Sequence, residues 1–233
     1  MWDDCGGRRG RRRSPGTSME QAFWQERWDT RQIGFHQPQP NLLLTAHAGF
    51  FAGRRRIYVP LCGKSTDLGF LRGRGHEVIG TEFVAAAIDE LFAELGETPV
   101  QGSAGPFTRH AVPGLTILQG DALLLEAAHA GGQIDGVYDR AALVAVAPAA
   151  RTGLVASYRR LLVPGGRLLV IAFDYDQSRL QGPPWAVSRD EVQRLFADFG
   201  AIRLLGERDE PASERLAAAG VSHLTEQAWG IET

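Results

Sequence analysis

Apolar residues along this chain come in short runs set between longer amphipathic stretches. Ile57-Tyr-Val-Pro-Leu61, His76–Glu82, Leu115–Leu118, Ile134–Tyr138 and Arg167–Phe173 have the length and composition of buried strands. Ile202–Leu205 continues the series, and a short run near Ala228–Ile231 is a weaker last candidate. Between them, helical spacing is read over residues 66–71, 84–95, 148–162 and 188–199. Gly75 and Gly96 stop the first two of these helices. Ahead of the first strand, helical spacing starts near Ser18 and again at Asn41–Phe51, with a Gly- and Pro-marked loop over residues 33–40. Residues 102–113, rich in Gly and Pro, read as an ordered loop or insertion. Strands alternating with helices predict a doubly wound, mostly parallel sheet covered on both faces, with an N-terminal helical cap. Such sheets bind ligands beyond the carboxyl ends of their strands.

Composition narrows this picture. The chain has 233 residues, the size of one domain with decorations, and hydrophobic residues make up 44% of it, as in ordinary globular proteins. Two cysteines, Cys5 and Cys62, make no disulfide framework, so a reducing, cytoplasmic setting is expected. No apolar run is long enough for a membrane span. The net charge is −2, but residues 1–18 hold five arginines against Asp3 and Asp4. Without that segment 20 basic and 25 acidic residues remain, a net −5, which argues against a nucleic-acid partner. Residues 1–18 read as a disordered or non-native leader, with Met19 as the natural start and 19–233 as one domain capped by residues 19–53. The histidines and cysteines lack ligand spacing, so no metal is expected.

The chemistry gathers at strand ends. Pro60-Leu-Cys-Gly-Lys-Ser65 follows the first strand, and Gly63 supplies the freedom for a tight turn. A single glycine excludes both the dinucleotide fingerprint and the phosphate loop. Glu82 closes the second strand, 21 residues after Leu61, where a carboxylate can accept hydrogen bonds from both hydroxyls of a ribose. Gly120-Asp121-Ala122 follows the third strand, where Asp121 can reach an adenine edge or cap a helix. Tyr138-Asp-Arg140 follows the fourth. Arg140 cannot act as a base, but it can clamp a carboxylate, orient an anionic sulfur, or simply pair with Asp139.

Several segments together resemble the thiopurine S-methyltransferase family. They are Phe23-Trp-Gln-Glu-Arg-Trp28, Ile33-Gly-Phe-His36, Val59-Pro-Leu-Cys-Gly-Lys-Ser65, Tyr138-Asp-Arg-Ala-Ala-Leu-Val144 and Gly182-Pro-Pro-Trp-Ala-Val187. The resemblance runs from about residue 20 to the C-terminus. It implies a class I methyltransferase fold with a seven-stranded sheet and S-adenosyl-L-methionine as cofactor. It implies that Trp24, Trp28, Leu61, Gly63, Glu82, Asp121, Ala122 and Arg140 border that cofactor. Phe35, Arg140 and Arg215 become the candidates for orienting a small acceptor, a thiol or a selenium or tellurium nucleophile. A detoxifying role is associated with bacterial members.

A sulfonium donor is already activated, and an aromatic thiol is substantially ionised near neutral pH. The protein then needs mainly to align nucleophile, methyl and sulfur, and no general base is expected. His36 reads as a structural hydrogen-bonder and Cys62 as a packed thiol. The helix around Trp24 and the Phe35 loop are expected to fold over the cofactor as a lid. Another small-molecule acceptor, or a cofactor sensor without turnover, are the alternatives. A monomer is expected.

Overall fold

Apolar residues on both faces of the central strands draw helices to both sides, and the result is one nine-stranded sheet. A computed structural model describes residues 15–140 and 142–233. Two units are distinguished, residues 1–33 and 34–233, and each is described by itself. In the first, α1 spans Pro15–Asp29. It takes in the end of the segment read as a leader, the rest of which lies outside the described residues. Within this unit Arg27 stacks 4.8 Å from the Phe23 ring centre, and Gln25 donates to Asp29 at 2.9 Å.

The second unit opens with α2 (Leu42–His47) and runs through β1 (Arg56–Val59), α3 (Thr66–Gly73), β2 (Glu77–Glu82) and α4 (Ala85–Leu95). A hairpin of β3 (Val100–Ala104) and β4 (Phe107–Val112) leads to β5 (Leu115–Gln119) and β6 (Ile134–Asp139). Then come α5 (Ala142–Ala145), α6 (Arg151–Leu161), β7 (Leu162–Asp174), α7 (Arg189–Leu195), β8 (Ile202–Pro211), α8 (Glu214–Ala218) and β9 (His223–Glu232). The sheet order is β3-β4-β5-β2-β1-β6-β7-β9-β8. The strands β5, β2, β1, β6 and β7 run parallel, and antiparallel pairs close each edge.

The sheet therefore has nine strands, not seven. The extra two are the hairpin within residues 100–112, the segment read as a loop from its glycines and prolines. Gly105 takes a positive φ at the hairpin turn, and Gly114 and Pro113 only separate β4 from β5. The closing strand is also longer than residues 228–231 suggested. β9 lies between β7 and β8 along its length, so its polar residues are paired on both sides.

Alternation within the strands divides the core. Val137, Leu168 and Val170 pack with Leu154, Tyr158 and Phe196 on one face. Leu169 and Ile171 pack with Leu44, Leu68 and Leu91 on the other. From β1 the chain moves through β2 to β5 on one side and through β6 to β7 on the other. The order thus reverses between β1 and β6, and their carboxyl ends border a crevice.

Two core contacts control the strand ends at that crevice. Gly80 on β2 lies against the turn after β1, where an added Cβ would stand 2.7 Å from both Cys62 Sγ and Ile117 Cδ1. On β6, fully buried Asp139 caps α5. Its Oδ1 accepts from Ala142 N at 2.9 Å and Leu143 N at 3.3 Å, while Oδ2 accepts from the Tyr158 hydroxyl at 2.7 Å. Burial pushes the Asp139 carboxyl up to about 6. The Tyr158 bond, the two backbone donors and the charge of Arg151 oppose the shift.

Gly80→Ala is expected to lower stability by about 1–3 kcal/mol through overpacking, read as a lower denaturation midpoint at unchanged slope. The folded carboxyl of Asp139 holds its proton more tightly than the unfolded one. Its contribution to stability therefore falls as pH rises from about 4 to about 6, by up to about 3 kcal/mol. An asparagine at this position would not titrate and keeps an acceptor oxygen for the helix. The difference in Tm between Asp139→Asn and the parent should accordingly rise across pH 4–6 and level off above; a flat difference contradicts the assignment.

Candidate active site

The turn after β1 bends more sharply than its single glycine suggests. Both Leu61 (φ 47°) and Gly63 (φ 51°) take left-handed backbone, and for leucine this is strained. The ladder holds the strain in place, because Cys62 N donates to Thr81 O at 2.9 Å. Ser65 then caps α3 by accepting from Asp67 N at 3.2 Å. Lys64 is drawn back onto α4, at 2.9 Å from Glu90 and 2.7 Å from Glu94. The Cys62 thiol is buried, and burial followed by the charge of Glu82 pushes its titration well up. It packs against β2 as a neutral group.

Glu82 closes the next strand and is 8% exposed. Its Oε2 accepts from Gly63 N at 2.8 Å and its Oε1 from Val84 N at 2.8 Å, while its main-chain carbonyl accepts from Gly120 N at 2.9 Å. Burial raises its carboxyl above the ordinary range, and the amides of Val84, Gly63 and Phe83 oppose that. A carboxylate has about four lone-pair positions. Gly63 N and Val84 N take one on each oxygen, and what remains can accept from a hydroxyl. Asp121 caps the short 3-10 turn Ala122–Leu124 through Leu123 N, and Ala122 is buried beside it.

Arg140 leaves the carboxyl end of β6, on the far side of the crevice. It does not pair with Asp139. Its Nη1 donates to Phe35 O at 3.3 Å, and its Nε is buried with no hydrogen-bond partner among the described residues. That uncommitted donor suits a carboxylate or an anionic sulfur. His36 follows Phe35. Partial burial and then the charge of Lys64 lower its pKa, so it stays neutral at pH 7.

The strap from Phe35 to Asn41 is anchored by a buried network that the sequence did not suggest. Asn41 N donates to Asp67 Oδ1 at 2.7 Å, Asn41 Nδ2 donates to Glu226 Oε1 at 2.8 Å, and the Tyr138 hydroxyl donates to Asp67 Oδ2 at 2.9 Å. The one local signal was Asn41 itself, which stands before Leu-Leu-Leu in the position of a helix cap and does cap α2.

The structure thus gathers Leu61, Gly63, Glu82, Asp121 and Ala122 at neighbouring strand ends, with Arg140 and Phe35 joined across the crevice. Arg215 lies elsewhere, exposed on α8, and donates to Pro183 O at 2.8 Å. Trp24 and Trp28 belong to the other unit. A polar groove of about 330 Å³ lies beyond the carboxyl end of β7, between Asp174–Tyr175 and residues 220–225. No helix among the described residues is long and apolar enough to cross a membrane.

The fold is shared with solved methyltransferases of low sequence identity. A Burkholderia thailandensis 1,6-didemethyltoxoflavin-N1-methyltransferase, solved with bound 1,6-didemethyltoxoflavin and S-adenosylhomocysteine, superposes with a TM-score of 0.61 at 16% identity, covering 100% of this chain and 98% of that one. An S-adenosylmethionine-dependent methyltransferase from Anabaena variabilis gives 0.60 at 13%, covering 91% and 94%. In sequence, the chain is 40% identical over 217 residues to a thiopurine S-methyltransferase of Methylococcus capsulatus, covering 91% of this chain and 97% of that protein. It is 36% identical over 214 residues to one of Shewanella amazonensis, covering 91% and 98%. The thiopurine S-methyltransferase family model matches residues 19–233. The chain belongs to the thiopurine S-methyltransferase family, an S-adenosylmethionine-dependent methyltransferase family.

Proposed function

We propose that this methyltransferase methylates the sulfur of a small aromatic thiol, or a selenium or tellurium nucleophile of like charge. The observation that carries the reading is the guanidinium of Arg140, which follows the carboxyl end of β6 and has an Nε without a hydrogen-bond partner among the described residues. The relatives' printed name, thiopurine S-methyltransferase, points the same way.

S-adenosylmethionine, when bound, supplies a methyl group already activated on a sulfonium sulfur. The residues of the chain bind and orient. Glu82 would accept the ribose hydroxyls, with the strained Leu61–Gly63 turn bringing backbone close to the donor. Asp121 and Ala122 would border the adenine. Arg140 would neutralise an anionic sulfur or a carboxylate beside it, a charge-assisted contact stronger than a neutral one. Phe35, on the strap bonded to Arg140, would shield the acceptor from water, and Arg215 would contact its outer edge. Trp24 and Trp28 enter this proposal through the family resemblance alone. A thiolate carries no proton to remove, which fits a neutral His36 and a Cys62 thiol held protonated.

Two measurements test the reading. Release of S-adenosylhomocysteine is expected with aromatic thiols, and not with the matching phenols or amines; turnover of phenols or amines in preference to thiols overturns the acceptor assignment. Glu82→Gln should weaken S-adenosylmethionine binding by roughly ten- to a hundredfold in calorimetry, the scale of a lost hydrogen bond to a charged group. Unchanged affinity removes Glu82 from the sugar site.

A further inference from the structure

Arg151 is the largest fully buried side chain of the described residues, at 0% exposure. A guanidinium so placed is costly unless its donors are met. Here each arm reaches a different element. Nε donates to Leu143 O at 2.9 Å, Nη1 to Glu191 Oε2 at 2.7 Å and Nη2 to Trp185 O at 3.4 Å. Arg151 therefore joins the helix after Arg140, the loop Gly182–Val187 and α7.

That loop lacks secondary structure, yet its backbone is claimed group by group. Pro183 O accepts from Arg215, and Pro184 O from the Tyr175 hydroxyl at 2.6 Å. Trp185 N donates to Val144 O at 2.7 Å, Ala186 N to Gln177 Oε1, and Val187 N to Phe173 O at 2.7 Å. One end of the loop thus holds the guanidinium of Arg215. Its middle is bolted to α5, whose first turn follows Arg140 and is capped by Asp139. Arg151 grips both sides of this junction: the carbonyl of Leu143 on α5 and the carbonyl of Trp185 on the loop.

We propose that Arg151 is a positioning residue for methyl transfer: it locks the Gly182–Val187 loop to α5 and so fixes Arg215 relative to Arg140. The inference rests on the reading of both arginines as acceptor contacts. A planar fork with its donors in fixed directions suits a three-way junction, which a lysine ammonium cannot span. Glu191 completes the junction and holds the fork's orientation.

Arg151→Lys keeps the charge and the Glu191 pair while giving up the fork. The affinity for S-adenosylmethionine should stay as in the parent. KM for an aromatic thiol should rise roughly ten- to a hundredfold, the scale on which ångström-level misplacement acts, with a smaller loss in kcat. The decisive readout is a double-mutant cycle with Arg215→Met. The KM penalty of Arg215→Met in the parent should largely vanish in the Arg151→Lys background, because Arg215 is then already misplaced. A merely structural Arg151 would lower the folded fraction and leave that penalty unchanged, which overturns the proposal. If Arg151→Lys does not fold, Glu191→Gln carries the same cycle, since it keeps an acceptor oxygen and removes only the charge. A parent enzyme that methylates no aromatic thiol overturns the acceptor reading and this inference with it. Normal thiol turnover with additive penalties overturns the role of Arg151 alone.

Discussion

Three strand ends meet around the carboxylate of Glu82, and the site is organised by the way that charge is satisfied. One oxygen takes the amide of Gly63 from the turn after β1, the other takes the amide of Val84, and the residue's own carbonyl takes Gly120 from the end of β5. An unmet buried carboxylate would cost several kcal/mol, so these donors cannot drift independently. The strained backbone of Leu61 persists because the amides that follow it, those of Cys62 and Gly63, are committed to β2. Gly80 has no room for a Cβ unless Cys62 and Ile117 shift, since the same turn presses the Cys62 sulfur towards its Cα. A ligand that used the outer lone pairs of Glu82 would meet a carboxylate already aimed, with little left to order on binding.

The other wall of the crevice follows the same logic with more partners. Asp139 is fully buried and caps α5, Asp67 and Glu226 are bridged by Asn41, and Arg151 ties α5 to the loop that carries the Arg215 contact. Networks of this kind contribute little net stability, but breaking one member leaves another buried charge unmet. Their effect is to restrict the crevice to one arrangement. Arg140 is the exception. Its Nε is buried and unbonded within a region where nearly every other polar group is paired.

Short apolar runs, each ending in a turn or a charged residue, were enough to mark β1, β2, β5, β6 and β7 and to place Leu61, Gly63, Glu82, Asp121 and Arg140 at their carboxyl ends. Local chemistry decides such positions, because a strand buried on both faces must be apolar and the residue that leaves it must cope with the crevice. The hairpin within residues 100–112 was missed for a related reason. It extends an edge: β3 is mostly exposed, and β4 buries Phe107, His110 and Ala111 without the strict alternation of a half-buried strand. β9 was underestimated because its polar residues, Glu226 and Gln227 among them, are buried through partners distant in sequence or on the same strand.

The sequence by itself determined the alternation of strands and helices, the strand ends where chemistry gathers, and the family to which those motifs belong. Only the tertiary structure decided that Arg140 bonds the Phe35 carbonyl and not Asp139, that Asn41 bridges two acids, and that Arg151 lies at a three-way junction. The physical reason is range. Periodicity, capping and turn chemistry act over a few residues and leave marks in composition. A hydrogen bond between Asn41 and Glu226, or a guanidinium shared by Leu143, Trp185 and Glu191, depends on where the sheet brings separate segments, and no local pattern encodes it.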